Sequence, residues 1–528
     1  MFSKIIHVLS DFNVVANYTF NMKKIKYILL IFTALTLGSC KEYLDINTDP
    51  SNPQVAEGYA LLPPIFAQMS RGEQFDGRFA GQYSQIWSST GSSNIWDLHS
   101  YAAGSDAGGE KWRSHYFSIG LNVDLIIADA LPKKKWDYIG AVQAIRAWSW
   151  QSTTDWHGEM ILKQAWEPNR YVFDFDTQEE VYAEVVRLSN EALENLNKTG
   201  EGVGTLARGD KAYGGNVDKW KKFVYANLAR NANHLSNKST YAPDKVIEYC
   251  DKAMASNADN FNVQNIATST TDANFFGPLR DNLQIYRQTD FSISLLDGRV
   301  FNGVADPRLP LMFTASLDGI YRGLTPGSSD PNTTPTDNPK RVPILWGVQP
   351  SLLVGKTPND ITPGKYIYTN KAAFPIITYS EIQFVKAEAA FKKGDKAMAL
   401  DAYKKAIAAH CDYVGVATAA KNDFLASKAI KQTGADLTLS DIMCQKFISM
   451  YGHGNLETWV DLRRYKYDPI VYTGFTLPRS FATENNGKSV QRVRPRFNSE
   501  YVWNRVSLDK FGGNDPDYHT KELWFVKP

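Results

Sequence analysis

Two carboxylates four residues apart, Asp155 and Glu159, flank Trp156 and His157. On one helical face they could stand at the separation of roughly 5 to 10 Å that glycosidases use to work on a bond from two sides. Acidic residues so spaced at a helix end are ordinarily solvated surface, and nothing else in the chain supports chemistry there. Other patterns fail on spacing. No H-E-x-x-H and no G-x-S-x-G occurs. Gly487-Lys488-Ser489 lacks the earlier glycine of a phosphate loop, whose place is held by Ala482. Asp45-x-Asn47-x-Asp49 opens like a calcium loop, but its sixth and twelfth positions are Pro50 and Ala56, where a turn glycine and a bidentate glutamate are needed. The eight histidines stand singly, and Cys250, Cys411 and Cys444 form no C-x-x-C pair. No zinc site is expected, and these three thiols read as small buried side chains. No catalytic residue, metal or cofactor is expected.

Aromatic rings are the remaining candidates. Eight of the 13 tryptophans fall between Trp87 and Trp166. Trp148 and Trp150 sit in an apolar helical pattern and suit a core. Trp87 and Trp96 instead flank the polar stretch Ser88–Asn94, where a large ring near solvent needs a reason. A sugar supplies one, because its C–H face stacks on an indole while its hydroxyls reach amide, carboxylate and guanidinium groups. The alternative is that these rings fold back and pin the loop. Tyr286, Tyr321, Arg322 and Trp346 pose the same choice in a long irregular segment. The expected ligand-binding set is therefore Trp87, Asn94, Trp96, Tyr286, Tyr321, Arg322 and Trp346.

The elements that must hold these residues are mainly helical. Apolar residues recur every three to four positions in Gly140–Thr154, Glu179–Leu196, Val217–Leu235, Asp244–Ala255, Ser380–Lys392, Lys396–Ala409 and Ser440–Tyr451. Pro243 stands where a helix start tolerates it. Ser380 with Gln383 makes a capping pattern, and Gly394-Asp395 a turn between two helices. This last pair resembles a tetratricopeptide unit. Ala387 takes the small position of the first helix, and Ala399, Tyr403 and Ala406 the small-large-small positions of the second; Cys411 stands where proline is usual. The expected fold is a stack of helix pairs, each covering its neighbour's apolar face. Between the pairs lie irregular stretches near 81–109, 157–177, 260–378 and 469–528. The third carries eight prolines from Pro326 to Pro363, and loops of such length in a compact protein are usually functional.

The N-terminal region carries an address. After Met22 come Lys23, Lys24 and Lys26, an apolar run Tyr27–Leu37, and Leu37-Gly38-Ser39-Cys40. This is the layout of a secretory signal ending in a bacterial lipobox, with an apolar run too short to span a bilayer core of roughly 30 Å. Lipid on Cys40 would anchor the chain, residues 1–21 reading as an upstream extension. The 528 residues include 58 basic and 56 acidic side chains; removing residues 1–39 takes four lysines and one aspartate, leaving 54 against 55. A neutral chain gives no support for nucleic-acid binding, and 43% hydrophobic residues are enough for a large core.

Leu44-Asp-Ile-Asn-Thr-Asp-Pro-Ser-Asn-Pro53, Tyr213-Gly-Gly215, Trp220-Lys-Lys-Phe223, Asn227-Leu-Ala-Arg230, Asp306-Pro-Arg-Leu-Pro310, Tyr379–Glu388, Gln445-Lys446 and Trp459-x-Asp461-x-Arg463-Arg464 follow one another in order. In these motifs the chain resembles the SusD/RagB-like nutrient-binding outer-membrane lipoproteins of Bacteroidetes, although Arg230 stands without the longer basic run of that helix. The resemblance implies a non-enzymatic, mainly α protein with four tetratricopeptide-like pairs. It would sit at the cell surface on a SusC-like TonB-dependent barrel and pass it oligosaccharides or peptides. Trp459, Arg463 and Arg464 would be scaffold. The implied organisation is a signal region 1–39, a lipidated tether 40–58 and one domain 59–528, with helical pairs near 140–197, 217–256, 380–409 and 440–465 and an irregular lobe 260–378. Two other readings remain: a surface-anchored glycoside hydrolase acting through Asp155 and Glu159, and a repeat adaptor that binds only protein.

Overall fold

Four antiparallel helix pairs stack in chain order in the computed structural model, which describes residues 56–90, 95–101, 104–349 and 364–528. Cys40 and Asn94 lie outside the described residues. The longer helices are α1 (Gly58–Tyr83), α2 (Leu121–Ala130), α3 (Trp136–His157), α4 (Gln178–Asn197), α5 (Val217–His234) and α6 (Pro243–Lys252). After the irregular lobe come α7 (Tyr379–Lys393), α8 (Lys396–Val414), α9 (Thr418–Ala426), α10 (Leu439–Met450) and α11 (Asn455–Arg464). The pairs are α3/α4, α5/α6, α7/α8 and α10/α11, and each leans on the next through α4 on α5, α6 on α7 and α7 on α10. Helix α11 then returns to pack on α1, α3 and α5. Among the described residues no helix is long and apolar enough to cross a membrane. These residues, apart from Ala56, belong to one unit, Glu57–Pro528.

Caps and small residues explain where the helices begin, end and meet. Thr177 and Thr438 open α4 and α10 with capping boxes to Glu180 and Asp441. The cap of α7 is Thr378, whose hydroxyl accepts from the Glu381 N–H at 3.2 Å, and not the expected Ser380, which donates instead to the Ala406 carbonyl. Gly394 closes α7 in the left-handed region, and the Asp395 carboxylate caps α8 at the Met398 N–H. Ala387, Ala399, Tyr403 and Ala406 are fully buried where α7 meets α8, and Cys250, Cys411 and Cys444 are buried free thiols.

Helix α1 has no counterpart among the expected helices. Pro63 and Pro64 lie inside it, and its buried positions include Ser70, Gln74 and Asp76 as well as Leu62, Ile65, Phe66 and Met69. Polar and apolar residues are buried together, so no apolar stripe forms for periodicity to detect.

Two short antiparallel ribbons stitch distant segments. Strand β1 (Trp87–Ser89) pairs with β3 (Tyr286–Gln288), and β2 (Phe261–Val263) pairs with β4 (Phe374–Ile377). The lobe is also pinned by charge. Arg308 is fully buried, bonds Asp306 at 2.6 Å, and reaches Gln445 of α10 and His410 of α8.

The stack is bolted by a buried charge network. Arg464 bonds Glu388 at 2.7 and 3.0 Å and Asp461 at 2.6 Å; Lys446 pairs with Asp461 at 2.7 Å. His234 Nε2 meets Glu457 at 2.7 Å and its Nδ1 faces Asp155 at 3.2 Å, while Arg230 grips Glu381 with two nitrogens. These side chains come from α3, α5, α7, α10 and α11, and all are buried. Removing one partner from such a set strands an uncompensated charge in a medium that cannot solvate it.

Burial would raise the Glu388 carboxyl, but Arg464 outweighs it and holds the group well below the usual range. Glu388→Ala should therefore cost about 3–5 kcal/mol of stability in denaturant unfolding; a loss below about 1 kcal/mol would remove the network's structural role. For His234, burial favours the neutral ring, yet Glu457 and Asp155 overcome it and raise the imidazole to about 9. A folded-state value above the ordinary 6.5 stabilises fully below that pH and is lost as pH climbs through 9. The drop in melting temperature between about pH 6 and pH 9 should shrink in His234→Gln; an unchanged drop would show that this ring does not titrate in the fold.

Candidate functional site

The expected aromatic set divides on inspection. Trp87 is fully buried in β1, its Nε1 donating to the Arg78 carbonyl at 2.9 Å and its ring edge-on to Phe276. A Cβ at Gly81 would lie 2.3 Å from that indole, so glycine is what allows the ring to lie against α1. Trp96 stacks on Phe79 at 4.3 Å and touches Tyr83 and Tyr101. Tyr286 is buried beside Trp87, and Trp346 is fully buried with its Nε1 donating to the Phe276 carbonyl at 2.9 Å. These four rings of the expected set offer no open face as the chain stands: β1–β3 pairing across some 200 residues folds Trp87 and Tyr286 together, while Trp96 packs on Phe79 and Trp346 bonds the Phe276 carbonyl.

Tyr321 and Arg322 do reach a surface cavity, of about 550 Å³, beside Asp290, Asp297 and Arg299. Its charges are already taken. Arg322 pairs with Asp318 at 2.6 and 2.8 Å, and Arg299 with Asp290 at 2.9 Å and Asp297 at 2.7 Å. Asp330, the other carboxylate of the lining, is held by the Asn332 and Val342 N–H groups, and one ring beside engaged polar groups makes a poor sugar platform.

The carboxylates Asp155 and Glu159 are likewise occupied. Asp155 is buried, accepting from Tyr182 Oη at 2.5 Å and Gln151 Nε2 at 2.7 Å. Glu159 is paired with Arg492 at 2.5 Å. They serve different partners and share no open cleft. Among the described residues no cluster of three or more His, Cys, Asp or Glu side chains could hold a metal.

Exposed rings converge elsewhere, in an open cavity of about 610 Å³. Three segments build it. The first is a helical run in which a four-residue helix, Glu110–Arg113, passes into a π-helical stretch, Ser114–Gly120, and then into α2. Such a stretch inserts extra backbone into a helix and often marks a functional place. It sets Trp112 and Tyr116 inward and carries Arg113, Phe117 and Leu121, four apart, along the cavity. The second is loop 158–177, closed by the Met160–Asp176 bridge and tied down by Tyr116, whose hydroxyl accepts from Ile161 N–H at 2.8 Å and donates to its carbonyl at 2.9 Å. Within it Trp166 donates to the Tyr116 carbonyl at 2.7 Å and lies under Arg146 at 4.6 Å. A Cβ at Gly120 would stand 2.1 Å from that ring, so glycine lets the indole approach the π-helical turn. The third is the short helix Phe497–Trp503.

The result is a layered surface. Trp112 is buried beneath, while Tyr171, Trp503 and Phe117 stand 78%, 65% and 60% exposed above. A separate apolar cluster around Trp112, Trp150, Met160 and Ile161 supports the floor. Polar groups converge at one end. Glu500 accepts from Trp112 Nε1 at 3.0 Å and from Asn504, and the Asn504 Oδ1 accepts from Phe173 N–H at 2.7 Å. Burial raises the Glu500 carboxyl, against the bonds from Asn504, Ser499 and Trp112. Arg113 lies over Phe117 at 5.6 Å, and Arg496 pairs with Asp106 at 2.9 Å. Among the described residues Glu500 is the single carboxylate of the lining, with no second acid beside it of the kind a glycosidase pairs. It has what stacking needs: ring faces open to solvent, a rigid floor and a few oriented polar groups. Tyr171 and Trp503 were outside the expected set, although both stand among apolar neighbours in otherwise polar stretches (Arg170-Tyr-Val-Phe173 and Tyr501-Val-Trp503), a signal that was open to reading.

Residues 50–494 match a family model named SusD-like and described as starch-binding associating with the outer membrane. The chain is similar in structure to a SusD/RagB family protein from Bacteroides thetaiotaomicron, at 19% identity over 89% of this chain and 99% of that one, with a TM-score of 0.66. It is also similar to a chitin-binding protein (20% identity, 89% and 100% covered, TM-score 0.68) and to a chitin-binding SusD homolog from Flavobacterium johnsoniae (16% identity, 89% and 98% covered, TM-score 0.65). No curated protein matches the chain at a significant level.

Proposed function

The chain belongs to the SusD-like family, whose members are described as starch-binding and associated with the outer membrane, and from that premise we propose that it captures glycans at the cell surface and hands them to a SusC-like TonB-dependent barrel. The observation that carries this reading is the aromatic cavity: exposed Tyr171, Trp503 and Phe117 above a buried floor, with Glu500, Asn504 and Arg113 at hand. Rings bind the apolar faces of a sugar, the polar groups fix its orientation, and the absence of a second carboxylate in the lining favours release of an intact ligand. Modest affinity suits a protein that must pass its cargo on. Lipid on Cys40 would hold the protein at the membrane, consistent with the Leu37-Gly-Ser-Cys40 sequence. The hydrolase and adaptor readings draw no comparable support from the site.

Two structural relatives bind chitin, so chitohexaose joins maltoheptaose as the first neutral probe. Calorimetry of the mature chain should show binding without shortening of the sugar. Trp503→Ala and Tyr171→Ala should each weaken it about five- to tenfold, while Tyr321→Ala leaves it unchanged. Unaltered affinity in both ring variants would move the site elsewhere, and shortened products would revive hydrolysis. Protein extracted from membranes should carry acyl chains on Cys40, and Cys40→Ala should leave the membrane fraction. An unmodified Cys40 would refute the anchor.

A further inference from the structure

A second surface cavity, about 720 Å³, lies between α1 and the segment 262–280 and shares no lining residue with the aromatic one. Its charge is one-sided. Arg71, Lys211 and Arg280 face it, against a single carboxylate, Asp272, which is engaged by Ser269 N–H at 2.7 Å and by Thr268. Arg71 has only a shared partner: it lies 3.3 Å from Glu110, whose same oxygen also takes Arg113 and Gln68. Among the described residues, neither Arg280 nor Lys211 has a carboxylate within ion-pair distance, and Arg280 makes one long bond to the Thr271 carbonyl at 3.3 Å.

Guanidinium groups held near one another with one shared carboxylate between them repel. The value for Arg280 is lowered by burial and then by Arg71, and Arg71 acts in the same direction on Arg78. Arg78 and Arg280 both lie over the Phe275 ring, at 5.2 and 5.4 Å from its centroid, a contact that neutralises neither charge. In a protein whose 58 basic and 56 acidic side chains nearly balance, cations so placed with amide side chains such as Gln264 beside them make a receptor for a negative group on a hydroxyl-rich molecule.

We infer that this cavity binds the anionic group of an acidic saccharide, a carboxylate or a sulfate ester, through Arg71 and Arg280 with Lys211 at the rim. The inference builds on the proposed glycan-binding role, adding a charge requirement that the aromatic cavity does not have. A planar carboxylate suits the fork of one guanidinium, and a second cation nearby prevents a neutral ester from substituting.

The experiment compares an oligogalacturonate, its methyl ester, a chondroitin sulfate oligosaccharide, inorganic phosphate and chitohexaose by calorimetry on the mature chain. The acidic saccharides should bind, and weaken as salt rises, while the methyl ester loses at least about tenfold. Whichever of oligogalacturonate and the sulfated sugar binds more tightly identifies the charged group. Arg280→Gln and Arg71→Gln should each reduce that binding about tenfold or more, and Lys211→Gln, at an exposed position, by less. Asp272→Asn should strengthen it. Trp503→Ala should leave it unchanged, so loss of neutral-glycan binding and loss of acidic-glycan binding are separate results. The inference is overturned if the ester binds as well as the acid, if phosphate alone binds as tightly as the acidic saccharides, or if the arginine variants with unchanged melting temperature retain full affinity.

Discussion

Asp155, Arg230, His234, Glu381, Glu388, Lys446, Glu457, Asp461 and Arg464 meet in the interior, where each ion is tolerable only because the others are present. Five acids face four bases there, and Arg463 completes the balance, bonding the Asp155 and Gln491 carbonyls while its guanidinium lies 3.8 Å over Trp459. Apolar packing alone would let helix pairs slide or rotate with little penalty. An ion pair that must be satisfied within a few tenths of an ångström does not. The network therefore fixes how α3, α5, α7, α10 and α11 meet, and the second buried node at Arg308 extends the same constraint into the irregular lobe.

A frame locked in this way lets loops carry function without carrying the fold. The aromatic cavity rests on its own small apolar cluster, at one edge of α3 and α4, and its rings are held by hydrogen bonds that spare their faces. Tyr116 and Trp166 bind backbone, Trp112 binds Glu500, and the exposed rings of Tyr171 and Trp503 stand clear above them. The basic cavity on α1 is separate in position and in chemistry. Aromatic faces and guanidinium groups are thus presented by different residues on the same scaffold.

How far the sequence leads can be judged residue by residue. Apolar spacing made seven of the eight paired helices legible, most clearly α4, which buries a stripe and exposes the rest; α11 was not among them, because every one of its residues is buried, charged ones included. Helix α1 was not, because Ser70, Gln74 and Asp76 are buried beside its apolar residues. The short motifs at Asn227–Arg230, Asp306–Pro310, Tyr379–Glu388, Gln445-Lys446 and Trp459–Arg464 proved to hold the buried ions, which explains why charged residues stand in otherwise apolar helices. Four of the expected aromatic residues, Trp87, Trp96, Tyr286 and Trp346, are buried for a physical reason. A tryptophan in a polar loop looks exposed until a strand some 200 residues away covers it, as β3 covers Trp87. Local sequence holds no trace of that closure, whereas Tyr171 and Trp503, among apolar neighbours with nothing to cover them, stay outside.

The central claim is that a charge-locked helical frame presents a stacking cavity that holds a sugar intact. A crystal structure of the mature chain with a bound neutral oligosaccharide tests it most directly. The account predicts an uncleaved chain lying against Tyr171 and Trp503, with the nine network side chains keeping their partners. Sugar seated in the Tyr321 cavity, or a frame whose ion pairs part on binding, would contradict it.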